Sequence, residues 1–190
     1  PDLTQLPVLT CWPEDGGPFF TLPLVHTVDP QTGQGNLGIY RLQRFDGAST
    51  GMHWQIEKGG GFHFHKAMRA GQPLPVSVIL GGPPALTLAA VAPLPEGMDE
   101  RVLAAYLMGH PLDLVARRTT GHRIPAKAEF VLEGEVRPGD VRREGPFGDH
   151  FGHYSAAADY PVFRVRRMLA RKNAIYPATV VGKPVQEDYY

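Results

Sequence analysis

Ala128-Glu129-Phe130-Val131-Leu132-Glu133-Gly134-Glu135-Val136 alternates as a β-strand does, with Phe130, Leu132 and Gly134 on one face and Val131 and Glu133 on the other. The run over 160–169 alternates too, since Val162, Val165 and Met168 fall between arginines with one slip of phase. Around these two, the stretches 19–25, 38–45, 52–56, 76–80 and 174–181 read as further strands; most are short, rich in β-branched or aromatic residues and bounded by Gly or Pro. Two helices stand out. An Ala/Leu run over 84–92 follows the break Gly81-Gly82-Pro83-Pro84, and 99–109 opens acidic and stops at Gly109, with Val102, Leu103, Tyr106 and Leu107 at helical spacing. Strands with one helical excursion predict a mainly β fold with some helix: an antiparallel barrel carrying an inserted helical segment, not an alternating βαβ sheet.

A chain of 190 residues fits one domain with a real core, here 1–190 as a single unit. The 22 glycines and 19 prolines are spread out, which punctuates short elements and argues against a disordered block. Nineteen basic residues balance nineteen acidic ones, so no global charge calls for nucleic acid or an anionic membrane. The single Cys11 excludes an internal disulfide and a cysteine-based zinc site, which fits a reducing compartment. No apolar run approaches the roughly 20 residues needed to span a bilayer, and no signal peptide is visible. A soluble, cytoplasmic domain is the expectation. Because the chain opens at Pro1 without an initiator Met, it reads as a piece of something longer.

The chemistry-bearing stretch is Glu144-Gly145-Pro146-Phe147-Gly148-Asp149-His150, where two carboxylates are set five positions apart by two glycines and a proline. Such a turn can aim two acids at one point, as paired acid/base chemistry requires; the competing reading is a solvated surface loop. Asn36-Leu37-Gly38-Ile39-Tyr40-Arg41 opens a strand, with Gly38 and Tyr40 on one face and Arg41 turned to the other. A guanidinium fork near a strand end suits a carboxylate or phosphate, or an ordinary salt bridge. Met52-His53-Trp54-Gln55-Ile56-Glu57-Lys58 runs into the triplet Gly59-Gly60-Gly61, whose amides can approach a phosphate or a flat ring, or simply make a hairpin turn. His63 and His65 share a face if they lie on a strand, as metal ligands or as an exposed face. Glu100 sits where an acid complements the helix dipole, and it can also bind a hard cation, with Asn36 as a second oxygen ligand.

The order of these pieces resembles the UbiD family of decarboxylases. Leu6-Pro7-Val8-Leu9-Thr10-Cys11-Trp12-Pro13-Glu14-Asp15, the Asn36 and Glu144 motifs, Pro125-Ala126-Lys127-Ala128-Glu129-Phe130-Val131-Leu132-Glu133-Gly134 and Tyr160-Pro161-Val162-Phe163 carry the resemblance along the whole chain. It implies a split β-barrel related to flavin reductases, here without the flanking N-terminal α/β region and C-terminal domain. The implied cofactor is prenylated FMN held with Mn²⁺ or Mg²⁺ and a monovalent cation such as K⁺. Metal ligands then fall on Asn36 and Glu100, catalytic residues on Arg41, Glu144 and Asp149, and cofactor contacts on Ile39, Tyr40, Arg41, His53, Trp54, Gln55, Lys58 and Gly59. The stretch 90–93 falls on flavin and monovalent-cation contacts.

One position departs from the pattern. The family's third metal ligand is a histidine just before the glycine run, and Glu57 stands there. Glutamate binds Mn²⁺ or Mg²⁺ but adds negative charge beside the flavin phosphate; a shifted register would bring in His53 instead. The implied reaction is reversible, non-oxidative decarboxylation of an aromatic or α,β-unsaturated acid, by default a polyprenyl-hydroxybenzoate or naphthoate of quinone biosynthesis. Arg41, paired with Glu144, holds the departing carboxylate, and Asp149 returns a proton. Implied partners are a flavin prenyltransferase as cofactor supplier, other copies in a homo-oligomer of the full-length parent, and a membrane surface reached through a lipophilic substrate. Two other readings stay open: a non-catalytic flavin-binding module, and an assembly component of a larger complex.

Overall fold

The computed structural model describes residues 1–54, 59–95 and 97–182; Gln55, Ile56, Glu57 and Lys58 lie outside them. After a 3-10 turn at Leu3–Gln5 come β1 (Phe19–Phe20), β2 (Leu24–Val28), β3 (Gly35–Ile39), β4 (Leu42–Gln43), β5 (Ser49–Gly51), α1 (Gly59–Arg69) and β6 (Leu74–Leu80). They are followed by α2 (Pro84–Val91), α3 (Glu100–Met108), β7 (Leu114–Ala116), β8 (Arg123–Pro125), β9 (Phe130–Glu144), β10 (Phe147–Gly148), β11 (Tyr154–Ser155) and β12 (Ala158–Ala170).

Six strands make one antiparallel sheet in the order β3-β2-β6-β9-β12-β5. Among the described residues this sheet is open, with β3 and β5 at its edges. The reason is local: β4, which links them, pairs with β1 instead of carrying the ladder around.

Both faces of the sheet are covered, so its alternating strands bury both sets of side chains. Val25, Val78, Leu132 and Val136 join Ala67 of α1 in one core, while their neighbours Leu24, Ile79 and Val131 join Leu86 of α2 and Ala104 of α3 in the other. The inner half of β9 is therefore buried on both faces, as the period-2 reading requires of a central strand. Gly134 sits at its tightest point, where a Cβ would lie 1.9 Å from the Arg164 carbonyl oxygen of β12. Two register shifts, between Pro161 and Phe163 and between Val165 and Arg167, interrupt the β9–β12 ladder, and bulges of this kind bend a ribbon. Beyond them β9 runs on as a mostly exposed arm and ends at Glu144, which is buried again.

Several expected elements differ. The stretch 59–69 is helical, so His63 and His65 do not share a face: Gly60, Gly61, His63 and Ala67 are buried while His65 is exposed. Residues two apart lie about 200° apart around a helix, which removes the paired-ligand geometry. The stretch 174–181 is no strand. Its amides are spent on side chains instead, Ile175 on Glu129 (3.1 Å) and Thr179 on Thr21 (2.9 Å). The strand expected over 52–56 comes earlier, at β5, with 52–54 outside regular structure. The strand expected over 38–45 splits into β3 and β4, with Tyr40 and Arg41 at the break.

Candidate active site

A cleft of about 1110 Å³ opens along the outer side of β3, beneath the N-terminus of α1, the segment after α2 and the β10–β11 hairpin. Asn36, Ile39, Tyr40, Arg41, His53, Gly59, Glu100 and Asp149 all line it, so one surface gathers residues up to 113 positions apart in sequence (149 − 36). The 90–95 stretch lines it as well. Trp54 packs differently: it is buried in the core, its ring 5.1 Å from Phe64 and its indole edge against Gly60.

Arg41 is the best-fixed charge on the wall. Its Nε donates to Glu144 Oε1 at 3.1 Å, its Nη2 donates to Ser155 Oγ at 3.1 Å, and its guanidinium lies 4.6 Å over the Phe147 ring. Cation–π contact and two hydrogen bonds fix both position and plane, which is what bidentate recognition of a carboxylate needs. Glu144 is wholly buried behind Arg41 and also meets His53 Nδ1 at 2.9 Å, while its Oε2 has no hydrogen-bond partner among the described residues.

The turn after Glu144 is pinned from the N-terminal segment. Gly145, at φ +90° in the left-handed region that favours glycine, donates to Gln43 Oε1 at 2.7 Å, and Gly148 donates to Asp15 Oδ1 at 2.9 Å. Asp15 is itself held, its Oδ2 accepting from the amides of Cys11 and Trp12. The turn therefore sends its two acids to different tasks. Glu144 supports Arg41 from inside, whereas Asp149 is half-buried on the cleft wall, its Oδ1 accepting from the Phe151 amide at 2.9 Å.

Farther along the cleft, Glu100 Oε2 accepts the Leu37 amide at 2.9 Å and so sits beside Asn36. Burial pushes the Glu100 carboxyl above the usual range, which a bound cation would reverse. Asn36 buries its amide nitrogen without a partner among the described residues, and its other end abuts Gly59, where a Cβ would lie 2.0 Å from Oδ1. The two ends of an amide exchange by a simple flip, so an oxygen donor is available here. Oxygen donors, an orphaned polar atom and a carboxylate out of its ordinary range fit a hard divalent cation. The glycine-rich start of α1 meets the same cleft, and Gly60 donates to the Tyr40 hydroxyl at 3.2 Å. A helix N-terminus without side chains in the way suits a phosphate. Among the described residues no cluster of three or more His, Cys, Asp or Glu is placed to hold a metal; Glu57 lies outside them.

Three functional positions escape sequence reading. Ser155, Phe147 and Gln43 orient Arg41 and Gly145, yet they are ordinary residues whose only signal is proximity across 114, 106 (147 − 41) and 102 positions. No helix among the described residues is long and apolar enough to cross a membrane.

The architecture and this site can be set beside known proteins. A Chlamydia pneumoniae protein named as one of the subunits of a 4-hydroxybenzoate decarboxylase is 53% identical over 191 residues, covering 100% of this chain and 32% of that protein. The UbiD-class enzyme HmfF from Pelotomaculum thermopropionicum, solved in complex with prenylated FMN, superposes with a TM-score of 0.89 at 36% identity, over 93% of this chain and 42% of its own. Vanillic acid decarboxylase from Sedimentibacter hydroxybenzoicus, in its closed form, gives 0.91 at 30% identity, over 96% and 40%. The chain spans about a third of the length of the curated relatives it matches. Residues 1–184 match the family model described as UbiD, 3-octaprenyl-4-hydroxybenzoate carboxy-lyase Rift-related domain, and the chain belongs to the UbiD family of decarboxylases.

Proposed function

We propose that this chain carries the cofactor cleft of a prenylated-FMN-dependent decarboxylase that removes CO₂ reversibly and without net oxidation from an aromatic or α,β-unsaturated carboxylic acid. The observation that carries the reading is Arg41, fixed by buried Glu144, Ser155 and Phe147 on the cleft wall that also bears Asp149. When bound, prenylated FMN supplies the electron sink for the carbon that loses CO₂. The protein does the rest. Arg41 holds and orients the carboxylate, and its support by Glu144 spares it reorganisation when the charge leaves. Asp149 holds the proton for the carbon that CO₂ vacates, and the apolar rim of Phe62, Val91, Met98 and Phe151 excludes water around an aromatic ring.

Asn36 and Glu100, joined by Glu57, would hold Mn²⁺ or Mg²⁺, which neutralises charge beside a flavin phosphate at the start of α1. A monovalent cation such as K⁺ belongs beside the 90–93 stretch. The fold that goes with this reading is a split barrel, supported by the antiparallel sheet and its bent ribbon. The same reading includes a cytoplasmic setting, a flavin prenyltransferase as supplier of the cofactor, and assembly into a multi-chain enzyme, the last supported by the name of the Chlamydia pneumoniae relative. A substrate of quinone biosynthesis is its most specific form. The test is turnover of aromatic acids by the full-length protein after co-expression with a flavin prenyltransferase. Decarboxylation that disappears in Arg41→Ala and Asp149→Asn, with flavin retained, supports it; retained turnover in either variant refutes the roles.

A further inference from the structure

We propose that His53 is a positioning residue for Arg41. By holding Glu144 through one carboxylate oxygen, it makes Arg41 meet Glu144 end-on and keeps the rest of the guanidinium for a carboxylate in the cleft. The inference rests on the decarboxylase reading above, but it concerns a contact that the family resemblance does not assign: there His53 is a cofactor contact.

The molecule contains its own comparison. Glu133 and Glu144 are both wholly buried, and each is paired with one arginine. At Glu133 the pair is a fork: Arg117 Nε and Nη2 reach the two carboxylate oxygens at 2.8 and 3.0 Å. That is the favoured geometry for an arginine and a carboxylate with no competitor. At Glu144 it does not form. Arg41 Nε and His53 Nδ1 both reach Oε1, at 3.1 and 2.9 Å, while Oε2 is left without a partner among the described residues, against Gly51, where a Cβ would lie 3.0 Å from it. A buried carboxylate oxygen left unpaired is costly, so something holds the group in this orientation.

His53 is placed to be that restraint. Its ring stacks on Tyr160 of β12 with centroids 4.2 Å apart, and its backbone follows the strand that ends at Gly51. Facing a carboxylate already charged by Arg41, the imidazole donates through Nδ1. Without that donor, Glu144 can swing Oε2 onto Arg41 Nη2 and close the fork seen at Glu133. Nη2 then leaves Ser155 Oγ, and the guanidinium edge available to a ligand is lost.

The test uses variants that separate the Nδ1 donor from the ring. In His53→Asn the side-chain amide N–H falls near the position of Nδ1–H; in His53→Gln it falls near Nε2; in His53→Phe the stack on Tyr160 survives and no donor remains. Benzoate binding to the purified protein is measured by calorimetry, flavin content by absorbance, and folding by melting temperature. Phe and Gln variants should bind benzoate about tenfold more weakly, roughly one charge-assisted hydrogen bond, and Asn should recover most of that loss. In turnover the same variants should raise KM more than they lower kcat, with flavin content unchanged. Benzoate affinity in both Phe and Gln variants equal to that of the unaltered protein overturns the proposal, as does an Asn variant as weak as Gln. Loss of flavin in step with benzoate also overturns it, because His53 is then a cofactor contact. If the unaltered protein binds benzoate no better than Arg41→Ala, the decarboxylase reading itself fails; binding that Arg41→Ala abolishes and His53→Phe spares refutes only the role of His53.

Discussion

Replacing Arg117 by Met is expected to cost the fold about 3–5 kcal/mol, because it strands a charge inside the central sheet. Glu133 is wholly buried on β9, flanked across the ladder by Ser77 of β6, and Arg117 satisfies both of its oxygens. The arginine keeps a partly exposed edge, so the pair is reached from one side only, and loss of Arg117 takes both of these bonds away from the carboxylate at once. At about 2–4 °C per kcal/mol for a chain of this size, melting should fall by roughly 6–20 °C. The assay is calorimetric unfolding across pH. In the variant the buried carboxyl favours its protonated form, so its folded-state pKa stands above its unfolded one. The penalty is therefore greatest at neutral pH and shrinks as the medium is acidified. Changing Arg117→Met together with Glu133→Leu should restore stability to within about 1 kcal/mol, since breaking a buried pair costs more than replacing it whole. A single variant that melts within roughly 2 °C of the unaltered protein, at neutral pH, refutes the reasoning.

The cleft and the second core carry further expectations. Gly59→Ala should lower Mn²⁺ and flavin retention while melting changes by only about 1–3 kcal/mol, because the new methyl collides with Asn36 rather than with the sheet; full metal retention measured by elemental analysis counts against that placement. Glu100→Gln should weaken Mn²⁺ and flavin retention together, and unchanged flavin content argues against Glu100 as a ligand. Since burial raises the Glu100 carboxyl, Mn²⁺ affinity should also fall on mild acidification as a proton competes for the site. Burial lowers His26 to about 4 and His122 to about 3, so both fold neutral and the unfolded chain takes up protons first. Stability they contribute is complete above about pH 6.5 and is lost as pH falls toward 4, at up to about 1.4 kcal/mol per pH unit for each. His122→Gln should make this slope shallower, and an unchanged slope by denaturant titration contradicts it.

Much of the sheet was legible because a strand buried on one or both faces must alternate or run apolar. The stretches containing β6, β9 and β12 declare themselves that way, and Asp99 and Gly109 mark the ends of α3 through cap chemistry, Asp99 accepting from the Arg101 amide and Gly109 standing at φ +72°. The helix α1 was hidden by its own composition. Phe62-His63-Phe64-His65 alternates like a strand, and three glycines disguise the start; only the spacing of Gly60, His63 and Ala67 betrays the buried stripe. The stretch 174–181 looked like a strand because it is apolar, but Tyr176 packs against Phe20 and Phe130 while its neighbours' amides find side chains. At the site, the motifs mark Arg41, Glu144 and Asp149, and the structure adds which of them touch. The bonds from Glu144 to His53 and Arg41 span 91 and 103 positions, and no local pattern encodes partners that far apart.

The most direct measurement is release of CO₂ from a panel of aromatic carboxylates by the full-length protein carrying prenylated FMN, alongside Arg41→Ala and Asp149→Asn. At least one acid should be decarboxylated, and both variants should lose that activity while keeping their flavin. A loaded protein that turns over none of the panel, or an Arg41→Ala variant that turns over as fast as the unaltered protein, contradicts the account.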